Sequence, residues 1–104
     1  MSNIDFDQVI IPAQKAVEAA AARSAAIKAD CTFRIATCLD LHTVMNLHGA
    51  ALAETLDADQ RACFAAAQGW IQAMQTACRV AISNGADPVW PVLPDGVEAL
   101  AAEF

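Results

Sequence analysis

Between Ala16 and Ala26 the chain reads AVEAAAARSAA. No stretch of the sequence is more restrictive. Alanine loses no side-chain entropy on entering a helix and is the best helix former, so this run suits little else. It also offers little area to bury, so such a helix gains stability only if a neighbour comes very close, and on its own in water it frays. Alanine supplies 25 of the 104 residues, so the hydrophobic fraction of 57% overstates the core. Large apolar side chains are few, with four Phe, two Trp and no Tyr. We therefore expect one all-α domain, a small bundle of slim helices that gains from self-association or a partner.

Apolar spacing divides the chain into three main helices. The first spans about 12–39, with Val17, Ala20, Ser24, Ile27, Cys31, Ile35 and Cys38 on one stripe of three- and four-residue steps. Pro12 suits a first helical position, where a missing N–H costs nothing. The lead at 1–11, MSNIDFDQVII, is then an extended arm or short turn pinning that helix, or a detached tail. Asp40 can cap a second helix over about 41–55, whose expected inner face is Leu41, Val44, Met45, His48, Ala51 and Leu52. Gly49 within it suggests a neighbour at close range. Asp57-Ala-Asp-Gln60 has the form of a capping box, and Asn84-Gly85 is a helix stop, which sets a third helix ending near Ser83. Its stripe is Phe64, Ala67, Ile71, Met74, Cys78 and Ala81, flanked by Trp70. The domain plan is thus an arm at 1–11, a bundle at 12–83, and a C-terminal strap with a short helix at 84–104.

The strap is the least helical part. Pro88, Pro91 and Pro94 recur every third residue, the period of a polyproline II helix, and each prolyl ring biases the residue before it towards extended geometry. Residues 86–94 are expected to be extended and stiff. A last helix should begin at Pro94 or Asp95 and carry Val97, Leu100 and Phe104. Trp90 between Pro88 and Pro91 is a large, rigid anchor, able to cover its own bundle or a partner. Tryptophan is enriched at interface hot spots. The candidate contact residues are Trp90, Trp70, Pro91, Leu93, Phe6 and Phe104.

Charge and motif content narrow the function classes. The net charge is −6 and the six basic residues are dispersed, which argues against nucleic-acid binding. No apolar run reaches the ~20 residues of a membrane span. No signal peptide opens the sequence, so synthesis in the cytoplasm is expected. The four cysteines fall in helical patterns and are expected as free, buried, small hydrophobes. Cys31 and Cys38 are two helical turns apart, too far for both thiolates to reach one ion, and His42 and His48 are poorly spaced for co-ligation. No metal or cofactor is expected. His48 is expected to pack with one nitrogen satisfied, and His42 to be solvated. Asp57 and Asp59 suit a helix start without catalysis. No nucleophile elbow or phosphate loop occurs, so the chain is not expected to be an enzyme.

Three segments, DFDQVIIPAQKAVEAAAARSAAIKADC at 5–31, VMNLHGAALAETLDADQRACFAAAQGWIQAM at 44–74 and ADPVWPVLPDGVEALAAEF at 86–104, carry a resemblance. They resemble short alanine-rich proteins and protein tails encoded by bacterial prophages and gene transfer agents, typically beside fibre or spike genes. The resemblance covers most of the chain and includes no catalytic motif. It implies a helical particle component or assembly factor made in the bacterial cytoplasm and carried in the particle. The expected role is an adaptor or base for a head spike or tail fibre, a homo-oligomer touching other virion proteins. The alternatives are a chaperone that holds fibre subunits and then leaves, and a small acidic regulator that binds a host protein.

Overall fold

The computed structural model describes the backbone of residues 2–104 and the side chains of residues 13–104. It contains four helices: α1 (Ser2–Cys38), α2 (Leu41–Leu52), α3 (Ala58–Asn84) and α4 (Val97–Glu103), with no strand among the described residues. The all-helical bundle expected from the apolar spacing is present.

α1 departs from expectation at its start. The lead at 2–11 is helical, not an extended arm, and Pro12 lies inside a helix of 37 residues. A proline there removes one hydrogen bond and crowds the carbonyl four residues back, a cost of about 3 kcal/mol. Its fixed φ is nevertheless a helical one, so the ring bars the helix from passing only if nothing on either side favours continuation. The side chain of Phe6, a candidate contact residue, lies outside the described residues.

Both interior caps take the form that their residue types predict. The Asp40 carboxylate accepts from the Thr43 N–H at 2.8 Å and opens α2. That bond is the main reason the Asp40 carboxyl is held below the usual aspartate range. At α3, Gln60 N–H donates to Asp57 Oδ1 at 2.8 Å and Asp57 N–H to Gln60 Oε1 at 2.9 Å, a complete capping box. Gly85 closes α3 in the left-handed conformation, φ 74°, and its N–H donates to the Ala81 carbonyl.

α2 ends three residues before the expected Thr55. Its stop has the hydrogen bonds of a Schellman motif, Thr55 N–H to the Ala50 carbonyl at 3.0 Å and Glu54 N–H to the Ala51 carbonyl at 3.2 Å. The left-handed residue is Glu54, φ 58°, where glycine is usual. A glutamate there gives no stop signal in the sequence.

α3 is the common wall of the core. It buries Phe64, Ala67, Trp70, Met74, Cys78 and Ala81, one stripe at steps of three and four. Trp70, expected on the flank, is inside, and Ile71 is only half-buried. α1 packs along α3 through Ile27 and Cys31, and Leu39 is buried where α1 hands over to α2. α4 closes the other side with Val97 and Leu100.

The inner face of α2 needs correction. Its buried residues are Thr43 and Leu47, whereas Leu41, Met45 and Leu52 are exposed, Leu52 by 87%. Relative to the face expected from apolar spacing, α2 is rolled by about one residue's worth, roughly 100°. The connection from α1 is two residues long. With Leu39 anchored in the core and Asp40 capping Thr43, the roll of α2 is set before its larger apolar side chains can choose a side. His48, expected to be packed, is exposed instead, its ring edge-on to Phe64 at 5.0 Å and 82°.

The molecule is long, 71 × 23 × 18 Å, with a radius of gyration of 20.2 Å. A compact chain of this size would have about 13 Å. The length comes from α1. Arg23 marks the level at which α3 stops: its guanidinium donates to the Ala81 carbonyl at 3.0 Å and to the Ala86 carbonyl. Every residue from Ala13 to Ala22 is exposed, Val17 by 70%.

Candidate functional site: an aromatic groove

Residues 87–94 form no helix. Pro88, Pro91 and Pro94 lack the N–H that a helix or sheet ladder needs, so this stretch depends on side chains for its attachment. Trp70 supplies one: its Nε1–H donates to the Pro91 carbonyl at 3.1 Å, satisfying an indole N–H that is otherwise inside. A hydrogen bond of this kind contributes about 1 kcal/mol net, and leaving a buried N–H unpaired costs more.

α1 supplies the second attachment. The Arg34 guanidinium lies 5.2 Å from the centre of the Trp90 ring, and its Nε donates to Asp30 Oδ1 at 3.0 Å. The carboxylate thus orients the guanidinium over the indole. Both charged partners are about half exposed, so the ion pair is worth only a few tenths of a kcal/mol. Stacking on the ring adds about 0.5–1 kcal/mol. Together these contacts hold Trp90 half-buried against the bundle.

Between these walls lies an open groove of about 460 Å³. Phe33, Arg34 and Thr37 form the α1 side, Trp70 and Met74 the floor, and Trp90, Pro91 and Leu93 the far side. Phe33 stands at its edge, 71% exposed. The ionisable pair Asp30 and Arg34 is spent on itself, and the remaining surface is mostly aromatic or aliphatic. Such an arrangement binds by shape and apolar burial, with a few polar groups left to orient an occupant.

Four of the six candidate contact residues, Trp70, Trp90, Pro91 and Leu93, meet in this groove. Phe104 does not. Its side chain is half-buried against the core and its carbonyl accepts from Asn46 Nδ2 at 2.9 Å, tying the C-terminus to α2. The α1 side of the groove was not foreseen. The available signal was Phe33 itself, a large aromatic lying off the stripe that carries Ile27, Cys31 and Ile35, one step from an Asp and an Arg spaced to pair along a helix.

The cysteines are free thiols, Cys31 and Cys78 buried, Cys38 and Cys63 half-buried. Burial pushes the Cys31 thiol up, and the neighbouring Cys78 raises it further. A thiol so shifted is a poor nucleophile at neutral pH. Among the described residues no group of three or more His, Cys, Asp or Glu is placed to hold a metal ion, and no helix is long and apolar enough to cross a membrane. No protein-family model, curated protein or solved structure matches this chain.

Proposed function

We propose that the chain is a structural docking protein of a phage-like particle, a virion or gene transfer agent. In this reading it is an adaptor or base that seats a head spike or tail fibre and associates with copies of itself. The observation that carries the docking role is the groove, where two tryptophans, a phenylalanine and a proline-rich segment surround an apolar opening. An occupant that buried what remains exposed of Trp90 would gain roughly 2 kcal/mol or more from that residue. The particle setting is carried by the resemblance of segments 5–31, 44–74 and 86–104 to particle-associated proteins. Nothing in the groove pairs an unspent acid with a base, which favours binding over chemistry.

Purified particles from the producing bacterium test both parts. Mass spectrometry should find the chain at a fixed copy number per particle. Trp90→Ala should lower that copy number or detach the spike or fibre, while leaving the chain folded. Finding the protein in the cytoplasm bound to fibre subunits, and missing from particles, would instead identify the chaperone. A complex with a host protein alone would identify the regulator.

A further inference from the structure

α1 carries an apolar stripe that outruns its cover. Ile27 and Cys31 face α3, and steps of three and four lead back from them through Ser24, Ala20, Val17 and Ala13 on the same side. α3 stops at Asn84, level with Arg23. Ser24, just short of that level, is half-buried, whereas Ala20, Val17 and Ala13, beyond it, are exposed. From Ser2 to Ala22 the helix rises by about 30 Å.

We propose that this N-terminal half of α1 pairs antiparallel with the same half of a second copy, each stripe covering the other. The inference rests on the self-association part of the reading above and names its surface. The order of charges selects the occupant and its direction. In sequence, Asp5 and Asp7 lie at one end of the segment and Arg23 and Lys28 at the other. A parallel copy sets acid against acid and base against base, whereas an antiparallel copy sets unlike charges together at both ends. A second copy also brings a stripe of the same length and phase, so a two-fold pair closes with nothing left uncovered. The run Ala19–Ala22 lies within it, and side chains that small let helix axes approach at the short end of the usual 8–10 Å range.

Sedimentation equilibrium of the full chain and five variants tests this. Val17→Glu places a charge on the stripe, and Ala22→Glu places the same charge on the far side of the helix. The wild type should dimerise. Val17→Glu should weaken the dimer by tenfold or more, about 1.4 kcal/mol, and Ala22→Glu should leave it within a factor of about two. Tryptophan emission from Trp70 and Trp90 should stay that of the wild type throughout, and Val17→Gln should repeat the ordering more mildly. At low salt, Asp5→Lys combined with Asp7→Lys should weaken the dimer and adding Lys28→Glu should restore part of the loss. A parallel pair would exchange one like-charge contact for another and hardly change. A dimer indifferent to Val17→Glu, or equally weakened by Ala22→Glu, would overturn the pairing and leave self-association standing. A dimer unmoved by the Asp5 and Asp7 reversals would overturn its antiparallel sense. A monomer at every concentration would overturn both this surface and the self-association reading, whatever particle analysis finds.

Discussion

The two halves of α1 belong to one continuous helix, the first the richer in strong helix formers, and they live in different surroundings. From Ile27 to Cys38 the helix lies against α3 and buries Ile27 and Cys31, and Leu39 is buried just beyond its end. From Ala13 to Ala22 every residue is exposed. The lesson is that propensity makes a helix and packing holds it. An alanine segment forms a helix readily, but that helix stays closed only where something packs opposite it. α1 runs on from Arg23 back to Ser2 past the level at which α3 stops, and that overhang is what makes the molecule a rod with a body at one end.

The contrast can be broken most forcefully in the core. Met74→Ala, in the fully buried centre of α3, should cost about 2–5 kcal/mol in urea unfolding followed by tryptophan emission. Val17→Ala in dilute protein should change stability by no more than about 0.5 kcal/mol. If the two substitutions cost similar amounts in dilute solution, the halves of α1 are not distinct.

A smaller effect concerns the end of α2. Glu54 holds a left-handed conformation, φ 58°, that costs an L-residue about 1 kcal/mol. Glu54→Gly should therefore stabilise the body by up to that amount, less the added freedom of glycine in the unfolded chain. Loss of stability on this substitution would mean that the glutamate side chain contributes something its position does not reveal.

The smallest effect is a titration. Thr43 N–H bonding holds the Asp40 carboxyl below its unfolded value. The stability contributed by this cap is present above the unfolded pKa and is lost as pH falls through the folded one. Acidification should fray the start of α2, read as a small loss of far-ultraviolet circular dichroism. Asp40→Asn, which caps without titrating, should remove that step. An identical acid transition in the variant would assign the step to other carboxyls.

Much of this was legible in the sequence because the signals were local. Asp57 with Gln60, Asn84 with Gly85, and Asp40 before an apolar run each state a helix boundary through bonds made within four residues. The stripe of α3 was legible for the same reason, since a long helix against one wall must repeat every three or four residues. What was missed was set at a distance. The roll of α2 depends on a two-residue connection anchored by Leu39, which no periodicity within 41–52 records, and the larger side chains Leu41, Met45 and Leu52 pointed to the wrong face. The start of α1 was misplaced because Pro12 is a fair first residue and also a tolerable interior one when helix lies on both sides. In the groove, Trp90 and Pro91 announced themselves by type. Phe33 and Arg34 became part of it only because α1 passes beside a segment more than fifty residues later in the chain.

Residue-resolved hydrogen–deuterium exchange at two protein concentrations tests the central idea most directly. In dilute protein, amides of 13–22 should exchange orders of magnitude faster than those of 27–39, because fraying opens an uncovered helix at little free-energy cost. At high concentration the 13–22 amides should become protected while 27–39 changes little. Equal protection of both halves in dilute protein, or rapid exchange of 13–22 that no concentration slows, would contradict the account.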